Sequence, residues 1–147
     1  HIFDTEEPMK PTLNDGLRAS GRRLTRTRRA VLSILERAKY PLRPSELYDR
    51  LRKAQVSIDL VTVYRTLSVL RELGLVSRCE LHHEGQSRYE LRAGRKHHHH
   101  IRCETCGKIV DLLLCPLKKL QTLIEKETQF VVNEHLLEFS GLCPKCQ

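Results

Sequence analysis

Two pairs of cysteines restrict this chain more than anything else in it. Cys103-Glu104-Thr105-Cys106 and Cys143-Pro144-Lys145-Cys146 are C-x2-C knuckles separated by 36 residues. Each knuckle aims two thiolates at one point, and two knuckles complete the tetrahedral four-sulfur shell that suits structural Zn2+. Disulfides and a redox dithiol are the competing readings. The first is disfavoured because the start of the chain shows no signal-peptide pattern, the second because no thioredoxin-like βαβ pattern surrounds either pair. Any fold must therefore bring residues 103–106 and 143–146 together.

Around this pair the chain divides by charge and by ligand chemistry. Residues 1–96 hold 20 basic and 12 acidic side chains, whereas residues 97–147 hold 6 of each. The whole net charge of +8 thus sits in the first two-thirds, where Arg18, Arg22, Arg23, Arg26, Arg28 and Arg29 crowd together. That one-sided excess predicts an anionic partner. Five of the six cysteines and five of the eight histidines lie in residues 97–147. The expected organisation is a tail over 1–16, a basic module over 17–92, a hinge over 93–96 and a ligand-rich module over 97–147. No apolar run approaches the ~18 residues of a membrane span, so a cytoplasmic protein without a membrane partner is expected.

In the basic module, Thr25 caps a helix whose inward face is Ala30, Val31, Ile34, Leu35 and Ala38. Ser45 starts a second helix with Leu47, Tyr48 and Leu51 inward. Asp59 caps a third, with Leu60, Val63, Leu67, Leu70 and Leu73 inward and Gly74 at its stop. That spacing turns Thr62, Arg65, Thr66 and Ser68 away from the core. Alternation through Cys79 and Leu81, a turn at Glu84-Gly85, and Arg88 to Arg92 read as a hairpin, with Cys79 in its core. Three helices and a hairpin with surplus arginine is the pattern of a winged helix-turn-helix. Its third helix would enter the major groove of duplex DNA, and the leading arginines would meet phosphates or a minor groove. A merely solvated basic face is the weaker alternative.

In the second module, His97-His98-His99-His100 runs into the first knuckle. On a strand, His97 and His99 share one face and His98 and His100 the other, giving two half-sites that need ligands from elsewhere. Asp111 lies on the paired strand, Glu90 ends the wing, and His135 is expected on a later strand over Phe130 to Phe139. Mixed nitrogen and oxygen sets accept Fe2+, Mn2+, Ni2+ or Zn2+; a solvated histidine run is the competing view. Pro116 begins a helix with the stripe Leu117, Leu120, Leu123 and Ile124. Cys115, just before it, reads as a packed core thiol. About 50 residues bury little core alone, so zinc and dimerisation are the expected supports. No H-E-x-x-H or nucleophile elbow accompanies these groups, so no enzyme is expected, and a zinc metallohydrolase is a distant alternative.

Taken in order, Leu24-Thr25, Arg28, Val31-Leu32, Ser45-Glu46-Leu47-Tyr48, Thr62-Val63-Tyr64-Arg65-Thr66-Leu67, Leu73-Gly74-Leu75-Val76, Tyr89-Glu90-Leu91, the histidine run, Cys103 to Lys108, and His135 to Cys146 resemble the ferric uptake regulator family of bacterial metal-dependent repressors. The resemblance spans about residues 17–147. It implies an α+β protein: an N-terminal winged helix followed by a small α/β dimerisation domain with structural zinc, acting as a homodimer on an operator in duplex DNA. It implies base contacts from Tyr64 and Arg65, beside Thr62, and a minor-groove contact from Arg23. Cys103, Cys106, Cys143 and Cys146 match the structural zinc site. Glu90, His98, His100 and Asp111 match the sensory site, and His97, His99 and His135 a second one. Two positions depart from the family pattern. Pro41 stands where a fifth sensory ligand, a histidine, is usual, which leaves four ligands or a recruit such as His82 or His83. Lys118 stands where the second site often has a glutamate. Iron sensing is the leading expectation; zinc, manganese, nickel or peroxide sensing are the alternatives.

Overall fold

The computed structural model describes residues 23–81 and 84–147, which form two compact units. The first comprises the described residues up to Glu80 together with Glu84–Arg95; the second comprises Leu81 and Lys96–Gln147. Arg18, Arg22, His82, His83 and the tail over 1–16 lie outside the described residues.

The first unit opens with α1 (Arg26–Arg37). Thr25, in extended backbone, accepts the Arg28 N–H at 3.2 Å on its hydroxyl, satisfying one of the orphan donors of the first turn. Helix α2 (Pro44–Lys53) begins one residue before the predicted Ser45, because Pro44 fits a first helical position that needs no N–H. The Glu46 carboxylate accepts the Arg43 N–H at 2.8 Å and closes that end. Helix α3 (Leu60–Glu72) is capped by Asp59, whose carboxylate accepts the Thr62 N–H at 2.6 Å. It stops before Gly74, whose φ of +71° is adopted most readily by a residue without Cβ.

Strands β1 (Val76–Glu80) and β2 (Ser87–Leu91) form an antiparallel hairpin that pairs Val76 with Leu91 and Cys79 with Arg88. The loop before α2 joins its edge through paired Leu42 and Tyr89 backbone bonds of 2.9 and 2.8 Å. Val31, Leu35, Leu42, Leu47, Leu51, Val63, Leu67, Leu70, Leu75 and Val76 make one core. Two expectations on α3 fail. Leu60 is 40% exposed, since the inward stripe passes beyond the packed region in the first turn. Thr66 is buried, because it stands three residues from Val63 and four from Leu70 and so falls on the same stripe.

The second unit is a three-stranded sheet in the order β4-β3-β5 with one helix. Strand β3 (His99–Cys103) pairs antiparallel with β4 (Ile109–Leu112) and parallel with β5 (Glu138–Gly141). Helix α4 (Lys118–Thr128) starts two residues later than predicted and ends at Gln129, in left-handed conformation at φ 61°. His135 is not on a strand. Ahead of β5 the chain is irregular: Val132 gives its N–H to the Glu125 carboxylate and its carbonyl to the Gln121 amide, both at 2.9 Å. Side chains of α4 thereby take backbone groups that a ladder would need. The stripe of α4 is open to solvent, as are Leu113, Leu114 and Leu136. Among the described residues, no helix is long and apolar enough to cross a membrane.

Candidate metal centres and nucleic-acid interface

Helix α3 turns its polar face outward from the first unit. Val61, Tyr64 and Arg65 are exposed, with Tyr64 at 52%, while the Asp59 cap holds the first turn of the helix in place. The Thr62 side chain stands half-buried beside them. The Asp59 carboxyl is held below the ordinary carboxylate value by its hydrogen bonds to Thr62, aided by the nearby Arg65 charge. Arg23 is exposed, and its carbonyl accepts a 2.8 Å bond from the Arg28 guanidinium, which ties the leading segment to α1.

The same unit holds a buried ionic knot. The Arg88 guanidinium donates to the Glu84 carboxylate at 2.6 and 3.1 Å, to Glu46 at 3.0 Å and to the Pro41 carbonyl at 2.9 Å. Pro41, at the departure from the family pattern, is fully buried and serves as a wall and an acceptor. Glu90, on β2, is buried as well. Its carboxylate accepts from Arg95 at 2.7 Å and from the Cys79 thiol at 3.6 Å. Cys79 is half-buried and touches a carboxylate, a more polar setting than the expected core position.

The second unit gathers its donors in clusters. The four knuckle sulfurs all lie within 4.8 Å of one another, with Cys106 and Cys143 at 3.7 Å. A tetrahedral ion with sulfurs at ~2.3 Å has edges of ~3.8 Å, so the four thiols fit Zn2+. Backbone N–H groups of Cys106 and Cys143 pull the Cys103 thiol down to about 6, whereas hydrogen bonding to the Cys143 thiol, together with burial, pushes Cys146 up to about 12.

The histidine run alternates as β3 requires. The rings of His98 and His100 meet at 5.0 Å, and His100 Nε2 lies 3.5 Å from a carboxylate oxygen of Asp111, its register partner on β4. His98 Nδ1 lies 2.8 Å from the Lys96 carbonyl, an acceptor only. Nδ1 therefore carries the proton, and Nε2 has the lone pair a cation takes. On the other face, His97 and His99 meet His135, with ring centroids 4.6 to 5.1 Å apart. Burial, then the neighbouring His97 and His135, lowers the His99 pKa and favours its neutral form. Cys115 belongs with these three: its sulfur is 3.4 Å from His135 Nε2. Reading it as core missed this, although a pair of same-face histidines short of a fourth ligand was the available signal.

A winged helix that presents Tyr64 and Arg65, and a small sheet unit rich in thiol and imidazole donors, define a DNA-binding protein of the metal-handling class. Comparison with known proteins narrows this. The profile described as the Ferric uptake regulator family matches residues 19–140. The ferric uptake regulation protein of Campylobacter jejuni is 33% identical over 132 residues, covering 88% of this chain and 83% of that protein. The peroxide-responsive repressor PerR of Staphylococcus aureus is also 33% identical, over 131 residues, covering 89% and 86%. Among solved structures, the Helicobacter pylori ferric uptake regulator superposes with a TM-score of 0.75 at 28% identity, covering 91% of this chain and 88% of that one. The Vibrio cholerae ferric uptake regulator gives 0.74 at 28%, covering 88% and 98%.

The chain belongs to the ferric uptake regulator family. It is a metal-sensing repressor by kind, from a family of DNA-binding transcription regulators rather than enzymes.

Proposed function

We propose that the chain is an iron-responsive repressor that binds operator DNA as a homodimer, with Zn2+ in the Cys103, Cys106, Cys143, Cys146 site and Fe2+ as the signal. The observation that carries the reading is the set His98, His100 and Asp111: two imidazoles and a carboxylate on and beside adjacent strands, the mixed donor set that accepts Fe2+. Glu90 supplies the fourth donor. It lies on the other side of the short segment Ala93-Gly94-Arg95-Lys96, and Gly94 there has a φ of +74°. When bound, the ion supplies charge and a fixed coordination geometry. Glu90, His98, His100 and Asp111 would hold it, the two imidazoles through their lone pairs and the two carboxylates balancing its charge. Joining donors from both sides of the hinge fixes how the reading helices of a dimer are spaced, which must match successive major grooves. Tyr64 and Arg65 then read bases, with Thr62 beside them, while Arg23 engages a minor groove. Cytoplasmic residence follows from that task.

Asp111 favours one second reading, a peroxide-responsive repressor, because iron sensors tend to carry glutamate there. Anaerobic DNA-binding titrations at buffered free Fe2+, Mn2+, Ni2+ and Zn2+, on protein retaining its cysteine-bound zinc, test the proposal. Fe2+ is expected to give the tightest capture at its physiological level, and His98→Ala or Glu90→Ala to abolish the response. Capture that is equal with and without every metal contradicts it. Loss of capture after brief peroxide, with oxidation at His98 or His100, would select the second reading.

A further inference from the structure

His97, His99 and His135 are drawn together more tightly than hydrogen bonding explains. Their Nε2 atoms stand 3.0, 3.1 and 3.3 Å apart, so each touches both others. A neutral imidazole nitrogen is either a donor or an acceptor, never both. In a triangle of such atoms at most two contacts can be donor to acceptor, and the third sets like against like. Protonating a ring only adds donors. The Cys115 sulfur then approaches the same Nε2 of His135 at 3.4 Å. A cation at the centre removes the conflict, since all three lone pairs and the sulfur can point at it.

The dimensions agree. A tetrahedral ion with nitrogen at ~2.0–2.1 Å and sulfur at ~2.3 Å has N···N edges of ~3.3 Å and N···S edges of ~3.5 Å. All four ligand atoms lie within 4.8 Å of one another. Lys118, at the position where a carboxylate is usual for the family, offers an ammonium that does not ligate.

We infer that Cys115 completes, with His97, His99 and His135, a tetrahedral site of three nitrogens and one sulfur, whose thiolate makes it a zinc-class site in place of a carboxylate-bearing one. A soft sulfur in a four-coordinate cage suits Zn2+ or its spectroscopic substitute Co2+. It works against Mn2+ and Fe2+, which favour harder ligands and more of them. The ligands come from three segments: the approach to β3 with its first residue, the β4–α4 connection and the α4–β5 connection. A unit with few buried apolar side chains thus gains a second brace, independent of the sensory set and of the proposed signal.

Cobalt uptake by the full chain, zinc retained in its four-cysteine site, tests this. Of the Co2+ that wild type takes up, the sensory donors included, one ion is expected to show a thiolate-to-cobalt charge-transfer band in the near ultraviolet and the strong visible bands of tetrahedral Co2+. Cys115→Ser should lose the near-ultraviolet band and weaken this uptake, while an unchanged circular dichroism spectrum shows that the fold survives. His135→Ala should keep a weakened band. Excess Mn2+ should leave the wild-type band in place and Zn2+ should erase it. A band that persists in Cys115→Ser, weak six-coordinate cobalt spectra in wild type, or displacement by Mn2+ would each overturn the inference.

Discussion

Arg88 is a wing residue on which much of the first unit turns. It is 4% exposed and its partner Glu84 is 5% exposed, so neither charge has water to fall back on. Replacing it by methionine takes both short guanidinium bonds from the buried Glu84 carboxylate and leaves it the more distant Arg43, 3.9 Å away, which costs up to about 3–5 kcal/mol. Denaturant melts of Arg88→Met should show that loss, and a change below ~1 kcal/mol would mean that Glu84 finds solvent. Asp59 acts at the surface through its ionised form. Its folded-state pKa is depressed, so its contribution is fully present above the unfolded value and disappears as pH falls through the folded one. Asp59→Asn keeps a capping oxygen without the titration. Wild type should therefore lose its stability advantage over Asp59→Asn as urea melts move from neutral pH into the acid range; a constant difference contradicts this.

At the level of elements, α3 carries the proposed recognition residues on one face and core on the other. Arg65→Ala should weaken operator binding by about 1–3 kcal/mol and relax specificity, with no change in melting temperature. Leu67→Ala should cost about 3 kcal/mol of stability and affect DNA binding only through folding. These helices were legible in the sequence because their ends carry their own chemistry: Thr25 and Asp59 accept at the first turns, and Gly74 takes the left-handed exit. The pairing of the two cysteine knuckles and the two faces of the histidine run were legible for the same reason, since period and spacing dictate them. The segment before β5 was not. Its stretch from Phe130 to Phe139 reads as a strand, and at Val132 the Gln121 and Glu125 side chains take the backbone groups that a ladder would use. Cys115 left only a partial trace: the same-face histidines were short of a ligand, but a lone thiol on a connection has no period to say that it supplies one.

For the whole molecule, the second unit poses the question of what covers its apolar surface. Leu113, Leu114 and Leu136 are 77%, 76% and 98% exposed, and the α4 stripe is open as well. In the proposed homodimer such side chains would be covered, and Zn2+ in the four-cysteine site would hold the sheet that presents them. Stripping that zinc with a strong chelator under reducing conditions should unfold the second unit and dissociate the dimer, seen together by circular dichroism and sedimentation. A metal-free chain that stays folded and dimeric would show that the sulfur site is dispensable. If the sensory donors govern DNA capture as proposed, fluorescence anisotropy on a duplex selected from a random pool by the metal-loaded protein, with buffered Fe2+ as the variable and oxygen excluded, will show it. Fe2+ should tighten binding about a hundredfold in wild type and leave His98→Ala unmoved; equal affinity with and without Fe2+, or an intact response in His98→Ala, refutes the coupling.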